Sequence, residues 1–395
     1  MSKQIKLAVA AALLAAASSA NAGIMIPAGD WTLDIGGVVN AYYTSTRHTG
    51  SNVSLGGGNS TGTTTASNIT TGLLPNYLSV SGKTRQNDLD VGFTISINPG
   101  ASTQNSGNQS SQQENRQAFL TFGDKSWGSI KLGKDLGIYA SDAILNDMTL
   151  LGVGSGAGFL AGNTTTLGRI GTGYMYADWK SQIAYSSPNW NGFSFTAGVT
   201  QAWDVAKAGS ANKVGFAPRG GSAPAYEGKA SYEWAGDFGG KVWVSGLTQK
   251  AEGFNDRAEA YDIGATVNVA GFGLTGYYGQ GSGTGTTVLL NGGFDASGNA
   301  RDSSDYYVQG TYTIPGVGTK LGISWGESNL DQNGGIDNVG DLTNRMITIG
   351  AYHPLTKHLN LVAEYSDVKS EVNGGAAPDV TGKAKTIALG AILFF

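Results

Sequence analysis

The residues in this sequence with the means to do chemistry are few, and most are fixed charges rather than nucleophiles. Of the carboxylates within residues 133–180, Asp135, Asp142 and Asp147 are the candidates, and of the cations that precede them, Lys83, Arg85, Arg116 and Lys131. The chain has no cysteine and three histidines, His48, His353 and His358, so disulfides and thiolate chemistry are closed to it. Gly82-Lys83-Thr84 has the ending of a phosphate loop, but Tyr77 stands where the first glycine belongs and no helical pattern follows. The glycines between 152 and 158 read as a pliable loop rather than a nucleotide cradle. Asp295, Asn299, Asp302 and Asp305, or Asp331, Asn333 and Asp337, have the oxygen chemistry of a calcium site, although solvated loop carboxylates are the simpler reading. No catalytic residue, metal or cofactor is assigned. What remains is fixed charge presented to solutes in water, whose pull grows where the surroundings narrow and dry.

The acidic stretch 133–180 interrupts a chain that otherwise alternates between apolar and polar residues. It opens with Gly133-Lys134-Asp135, passes through Ser141 and Asp142 to Met148, and runs into the glycine-rich portion. A connection of roughly 45 residues is far longer than the usual loop of about 4 to 6, and loops of that length commonly carry function. Residues 1–22 read as a targeting segment: Lys3 and Lys6, then an apolar run over 7–17, then Ala20-Asn21-Ala22 as a cleavage site. The apolar run is too short for a spanning helix, which needs roughly 20 residues. The mature protein, 23–395, is therefore exported. Losing two lysines moves the formal charge from −4 to −6, which argues against nucleic acid as a partner. Glycine makes up 62 of 395 residues, about twice the average usage of ~7%. No later run is apolar enough for a membrane helix, so a spanning protein would have to be a closed barrel.

Period-two alternation marks the elements that must hold these charges. In 88–97, Leu89, Val91, Phe93, Ile95 and Ile97 alternate with polar residues and glycine. The same pattern recurs in 31–44, 193–200, 226–234, 261–269, 272–278, 306–314, 321–325, 359–365 and 387–395, and more weakly in 76–84, 115–122, 127–134, 180–187, 241–249 and 344–352. The total is about sixteen segments near the length of a tilted membrane strand. Short turns near 85–87, 123–125, 188–192, 236–239, 271, 315–318 and 356–358 alternate with longer connections. This predicts an all-β, 16-stranded antiparallel transmembrane β-barrel with periplasmic turns, outer loops and both termini on the periplasmic side. His48 then lies at the opposite end from His353 and His358, which excludes a histidine cluster. A soluble β-sandwich or secreted β-rich adhesin is the rival; it needs neither an even strand count nor aromatic strand ends.

Over nearly its whole mature length the sequence resembles the Gram-negative general porins. The likeness rests on Trp31 through Asn40, on Arg116-Gln117-Ala118-Phe119, on Trp127 through Lys134, on Ile183 through Pro188 followed by Gly192-Phe193, on 352–358, and on the closing Phe394-Phe395. The resemblance implies an outer-membrane homotrimer set in outer-membrane lipid and lipopolysaccharide, whose third outer loop, here within 133–180, folds inward as an eyelet. It implies passive diffusion of ions and small hydrophilic solutes, with a channel specific for one substrate as the alternative. The constriction is expected at Asp135, Asp142 and Asp147 on the loop, with Lys83, Arg85 and Lys131 turned inward by strand parity. Arg116 matches a pore-lining arginine of the family but shares parity with lipid-facing Ala118 and Leu120, which a β-bulge would reconcile. Tyr77 and Ala184 stand where relatives often carry arginine, so near-neutral or weakly cationic selectivity is expected. Phe394 and Phe395 resemble the outer-membrane assembly signal.

Overall fold

A computed structural model describes residues 23–51, 55, 65–102, 113–156, 165–203, 223–334, 340–375 and 378–395. The expected leader 1–22, part of the glycine run and Asp337 lie outside them. The chain forms β1 (Ile24–Ala28), β2 (Trp31–Gly50), β3 (Thr65–Thr70), β4 (Tyr77–Gln86), β5 (Leu89–Pro99), β6 (Gln113–Asp124) and β7 (Gly128–Leu136). After the central segment come β8 (Trp179–Ser186), β9 (Phe193–Thr200), β10 (Ala225–Trp234), β11 (Phe238–Lys250), β12 (Arg257–Val269) and β13 (Phe272–Ser282). The last are β14 (Asp302–Thr313), β15 (Lys320–Leu330), β16 (Asp341–Pro354), β17 (Leu359–Asn373) and β18 (Val380–Phe394).

All are antiparallel in one sheet that closes on itself, because β18 pairs with β2 from Gly382↔Gly50 to Phe394↔Val38. Phe395 completes the seam by exchanging backbone hydrogen bonds with Gly37 at 2.8 and 3.0 Å. Closure leaves no unpaired edge in lipid. One edge of β2 is shared by β1 and β18, and the other by β3 and β4, so eighteen strands occupy sixteen positions around the ring. The expected count therefore holds. β1, β3 and the end of β2 fall outside the alternating pattern: β3 and the end of β2 are largely polar, while β1 is apolar throughout and exposed, so none of them alternates.

Alternation sorts the wall into two surfaces. Val39, Ile95, Leu120, Ile183, Ile263, Leu274, Ile323, Ile349 and Leu389 are all exposed on one of them, which in water would be costly and in lipid is required. Aromatic pairs mark the short-turn end of this belt, including Trp190 with Phe193, Trp234 with Phe238 and Phe272 with Tyr312. The turns there are tight. Asn87-Asp88 and Ala270-Gly271 each place two residues at positive φ (49° and 63°, 48° and 86°), the mirror-image turn that matches strand twist.

One irregularity concerns Arg116. The β5–β6 register passes from Ser96↔Gln117 to Asn98↔Glu114, so β6 carries one extra residue across two of β5. This is the bulge that the parity conflict required, and it turns Arg116 away from the lipid face of Ala118 and Leu120.

Candidate functional site

The connection between β7 and β8 is the longest described by any packing. The β7–β8 ladder continues through Asp135↔Lys180 and Leu136↔Trp179, so the connection is 137–178 rather than 133–180, with 157–164 outside the described residues, and Asp135 belongs to the wall. The segment contains a short helix, α1 (Ser141–Leu145), and a 3-10 turn over Met148–Leu151. Neither element is long enough to stand alone.

Wall side chains on the polar face hold it by its backbone. Glu227 of β10 accepts hydrogen bonds from the backbone N–H groups of Ile138 and Tyr139 at 2.8 and 2.9 Å. Its other oxygen accepts from Lys180 Nζ at 2.6 Å and Thr200 Oγ1 at 2.8 Å. Glu364 of β17 repeats the device farther along, accepting from Val153 and Gly154 N–H at 2.7 and 2.9 Å and from the Tyr352 hydroxyl at 2.6 Å. Between them, Gln309 of β14 accepts from Met148 N–H and donates to the Asn146 carbonyl, both at 2.8 Å. Hydrogen bonds to charged groups, as at the two glutamates, are worth about 1.5–3 kcal/mol each, and neutral ones such as those of Gln309 about 0.5–1.5 kcal/mol. A Cβ on Gly152 would lie 2.1 Å from the Glu364 carboxylate, so glycine is what lets the backbone come that close.

The acidic residues expected on the loop have different duties. Asp142 is 3% exposed and is gripped by Lys229 of β10 at 3.1 Å and Lys241 of β11 at 2.6 Å. Burial pushes its carboxyl up, but the two ammonium groups outweigh that and hold it below the ordinary value. Asp147 is 1% exposed. It caps the 3-10 turn through Thr149 N–H and hydroxyl and accepts from the Tyr174 hydroxyl at 2.8 Å. It therefore orders the segment instead of projecting into water. Asp135 accepts from Gln117 at 3.0 Å and pairs with Lys131, whose ammonium also sits 4.8 Å from the Phe119 ring centre. Arg169 is fully buried within the segment and donates to the carbonyls of Thr172 and Met346; burial pushes its guanidinium value down, against the pull of Asp147.

The expected wall residues also separate. Lys83 and Lys131 fall in one row of the polar face through Lys83↔Gly92, Gly92↔Thr121 and Thr121↔Lys131. Arg85 does not reach the segment: Asp90 and Asp124, from two neighbouring short turns, hold it at the exposed rim at 2.8 Å each. Arg116 is 5% exposed, pairs with Glu114 at 2.7 Å and lies 5.7 Å from the Trp179 ring centre. Tyr77 packs on the apolar cluster around Val38, Tyr42 and Ile392, and Ala184 faces Lys131 across the ladder. Asp295, a candidate calcium ligand, is saturated by N–H donors from Ser297, Asn299 and Asn333, the wrong polarity for a cation. Sequence reading missed Glu227, Glu364, Gln309, Lys229 and Lys241. Their signal was present, since each is a long polar side chain at a polar-face position, where glycine, serine and threonine otherwise prevail.

Comparison with known proteins agrees with this architecture. The fold is similar to the outer membrane channel DcaP of Acinetobacter baumannii, with 14% identity and a TM-score of 0.64 over 93% of this chain and 99% of that one. It is also similar to OmpF of Salmonella typhi, solved with daunomycin, at 17% identity and TM-score 0.56 over 93% and 100% of the two chains. The trimer form of OmpT of Vibrio cholerae aligns at 14% identity and TM-score 0.54 over 92% and 99%. No curated protein sequence matches significantly. A family model described as Gram-negative porin matches residues 8–373. With most of the chain matched and the barrel closed, the chain belongs to the Gram-negative porin family, as an outer-membrane barrel that forms a channel for small solutes.

Proposed function

We propose that segment 137–178 is the constriction of this channel and that ions and small hydrophilic solutes pass beside it by passive diffusion, without catalysis. The observation that supports this reading is the paired clasp by Glu227 and Glu364, on widely separated strands of the polar face, each taking two consecutive backbone N–H groups of the segment. A segment tethered at both places lies across part of the bore. The opening is then bordered by Lys83, Lys131, Lys229 and Lys241, with Asp135, Asp142 and Glu233 nearby. Because these three acids contact three of the four lysines directly, all but one of the lysine charges are offset locally and selectivity is near neutral. Single-channel recording in planar bilayers tests the constriction. Glu227→Gln combined with Glu364→Gln should raise conductance or open-channel noise; currents identical to wild type would overturn the reading.

The apolar outer wall supports assembly as a closed homotrimer, as in the OmpT trimer form. We further propose removal of residues 1–22 on export, and contact of the outer rim with lipopolysaccharide. Outward positions above the apolar belt change to charge there, with Arg345, Glu371, Lys369, Lys385 and Asp367 joined in ion pairs.

A further inference from the structure

One row of the polar face reads Lys229, Ser245, Asp262, Gly279, Asp305, Ser328 across six neighbouring strands. Asp262 and Asp305 thus flank a residue with no side chain, and they are 3% and 2% exposed. One oxygen of each, Oδ1, is buried without any hydrogen-bond partner. Neither carboxylate makes an ion pair among the described residues, and leaving such groups uncompensated inside a protein is expensive. The Tyr277 hydroxyl donates to Asp262 Oδ2 at 3.4 Å, and a Cβ on Gly279 would stand 2.7 Å from that same hydroxyl. The hydroxyl therefore hangs over the gap between the two acids, and Tyr139 of the segment lies close enough to feel both carboxylates.

We propose that Asp262 and Asp305 form a cation site of the calcium class, completed by the hydroxyls of Tyr277 and Tyr139. The ligands are all hard oxygens, two carboxylates balance a divalent charge, and none of the four side chains offers a nitrogen or sulfur donor, which is the ligand chemistry of calcium. Neighbouring strands are about 4.8 Å apart, so two aspartates leaning across one glycine strand can share an ion bound at about 2.4 Å from each. The other charges facing this region are already committed, Asp142 being held by Lys229 and Lys241. The site is also wired to the segment at both flanks. Ser245, directly across the ladder from Asp262, accepts from Ala140 N–H at 3.1 Å. Ser328, directly across the ladder from Asp305, accepts from Gly173 N–H at 2.9 Å. An ion here fixes both serines, and through them both flanks of the segment.

Terbium titration of the folded barrel in detergent tests the site, because tyrosines that ligate terbium transfer excitation to it. Wild type should show saturable tyrosine-sensitised emission that calcium displaces. Asp262→Asn with Asp305→Asn, which keeps volume and hydrogen bonding, should lose that saturable phase, and Tyr277→Phe should weaken it several-fold. Should the double variant give no heat-modifiable band, the single variants Asp262→Asn and Asp305→Asn carry the same comparison. Equal emission in the carboxylate variants would overturn the proposal by placing terbium elsewhere. Absence of calcium-displaceable emission in wild type would overturn it as well, leaving a proton shared between the two acids.

Discussion

At the scale of single residues, the acidic side chains divide by what they touch. Asp142 offsets two lysines, so Asp142→Asn should free Lys229 and Lys241 and shift the reversal potential toward anions in a salt gradient. Asp147→Asn should leave the reversal potential in place and instead increase current noise, because its four donors lie within the segment itself. The pH dependence follows from the sign of the Asp142 shift. Its carboxyl is held below the ordinary value, so the contribution of its ion pairs is full above the usual carboxylate range and is lost only as pH falls below it. The difference in reversal potential between wild type and Asp142→Asn should therefore be constant through neutral and mildly acidic pH and collapse only in strong acid. Glu227 tests the energetics. Replacing it with glutamine leaves Lys180, 1% exposed, without its carboxylate, and removing one partner of such a buried pair costs about 3–5 kcal/mol. Thermal unfolding followed by heat-modifiable gel migration should show a lower midpoint.

At the scale of elements, the hairpins and the seam carry the argument for a specified register. Ala270 adopts φ 48° in the β12–β13 turn, a left-handed conformation that costs a residue with a Cβ roughly 1–2 kcal/mol. Asparagine is favoured at that turn position, so Ala270→Asn should raise the unfolding midpoint without altering conductance. The seam is less forgiving. A Cβ on Gly37 would lie 2.3 Å from the Tyr77 carbonyl and 2.7 Å from the Phe395 ring, and the same two residues, Gly37 and Phe395, exchange the last backbone hydrogen bonds of the ring. Gly37→Ala, or deletion of Phe394 and Phe395, should reduce the yield of heat-modifiable barrel in the outer membrane; full yield from the truncation would show that closure does not depend on that strand end.

At the scale of the whole molecule, the distribution of surface decides the environment. Large apolar side chains stand exposed all round one face of the closed sheet while serine, threonine, asparagine and paired charges crowd the other. A water-soluble protein would invert this arrangement, and a bilayer requires it. Association of that outer wall with copies of itself should give a trimer, so light scattering in mild detergent should return about three times the mass of the mature chain, as closed cyclic symmetry demands. A uniform monomer would argue that the wall meets lipid on every side.

Period-two patterning by itself determined the barrel. An amphipathic strand in lipid must alternate, so the sixteen ring positions, the short turns and the closing pair of strands were all written locally, and even the bulge at Arg116 announced itself as a parity conflict. Polar extensions such as β3 escaped because outside lipid no apolar face is demanded of a strand. The site was legible only in part. Residues 133–180 stood out as non-repeating, yet which wall side chains would meet them depends on contacts between residues such as Glu364 and Val153, more than two hundred positions apart. Alternation says that a side chain faces inward; only the folded ring decides what stands opposite it. For that reason Asp142 and Asp147, alike in sequence, became an ion-pair partner of two lysines in one case and a buried cap in the other.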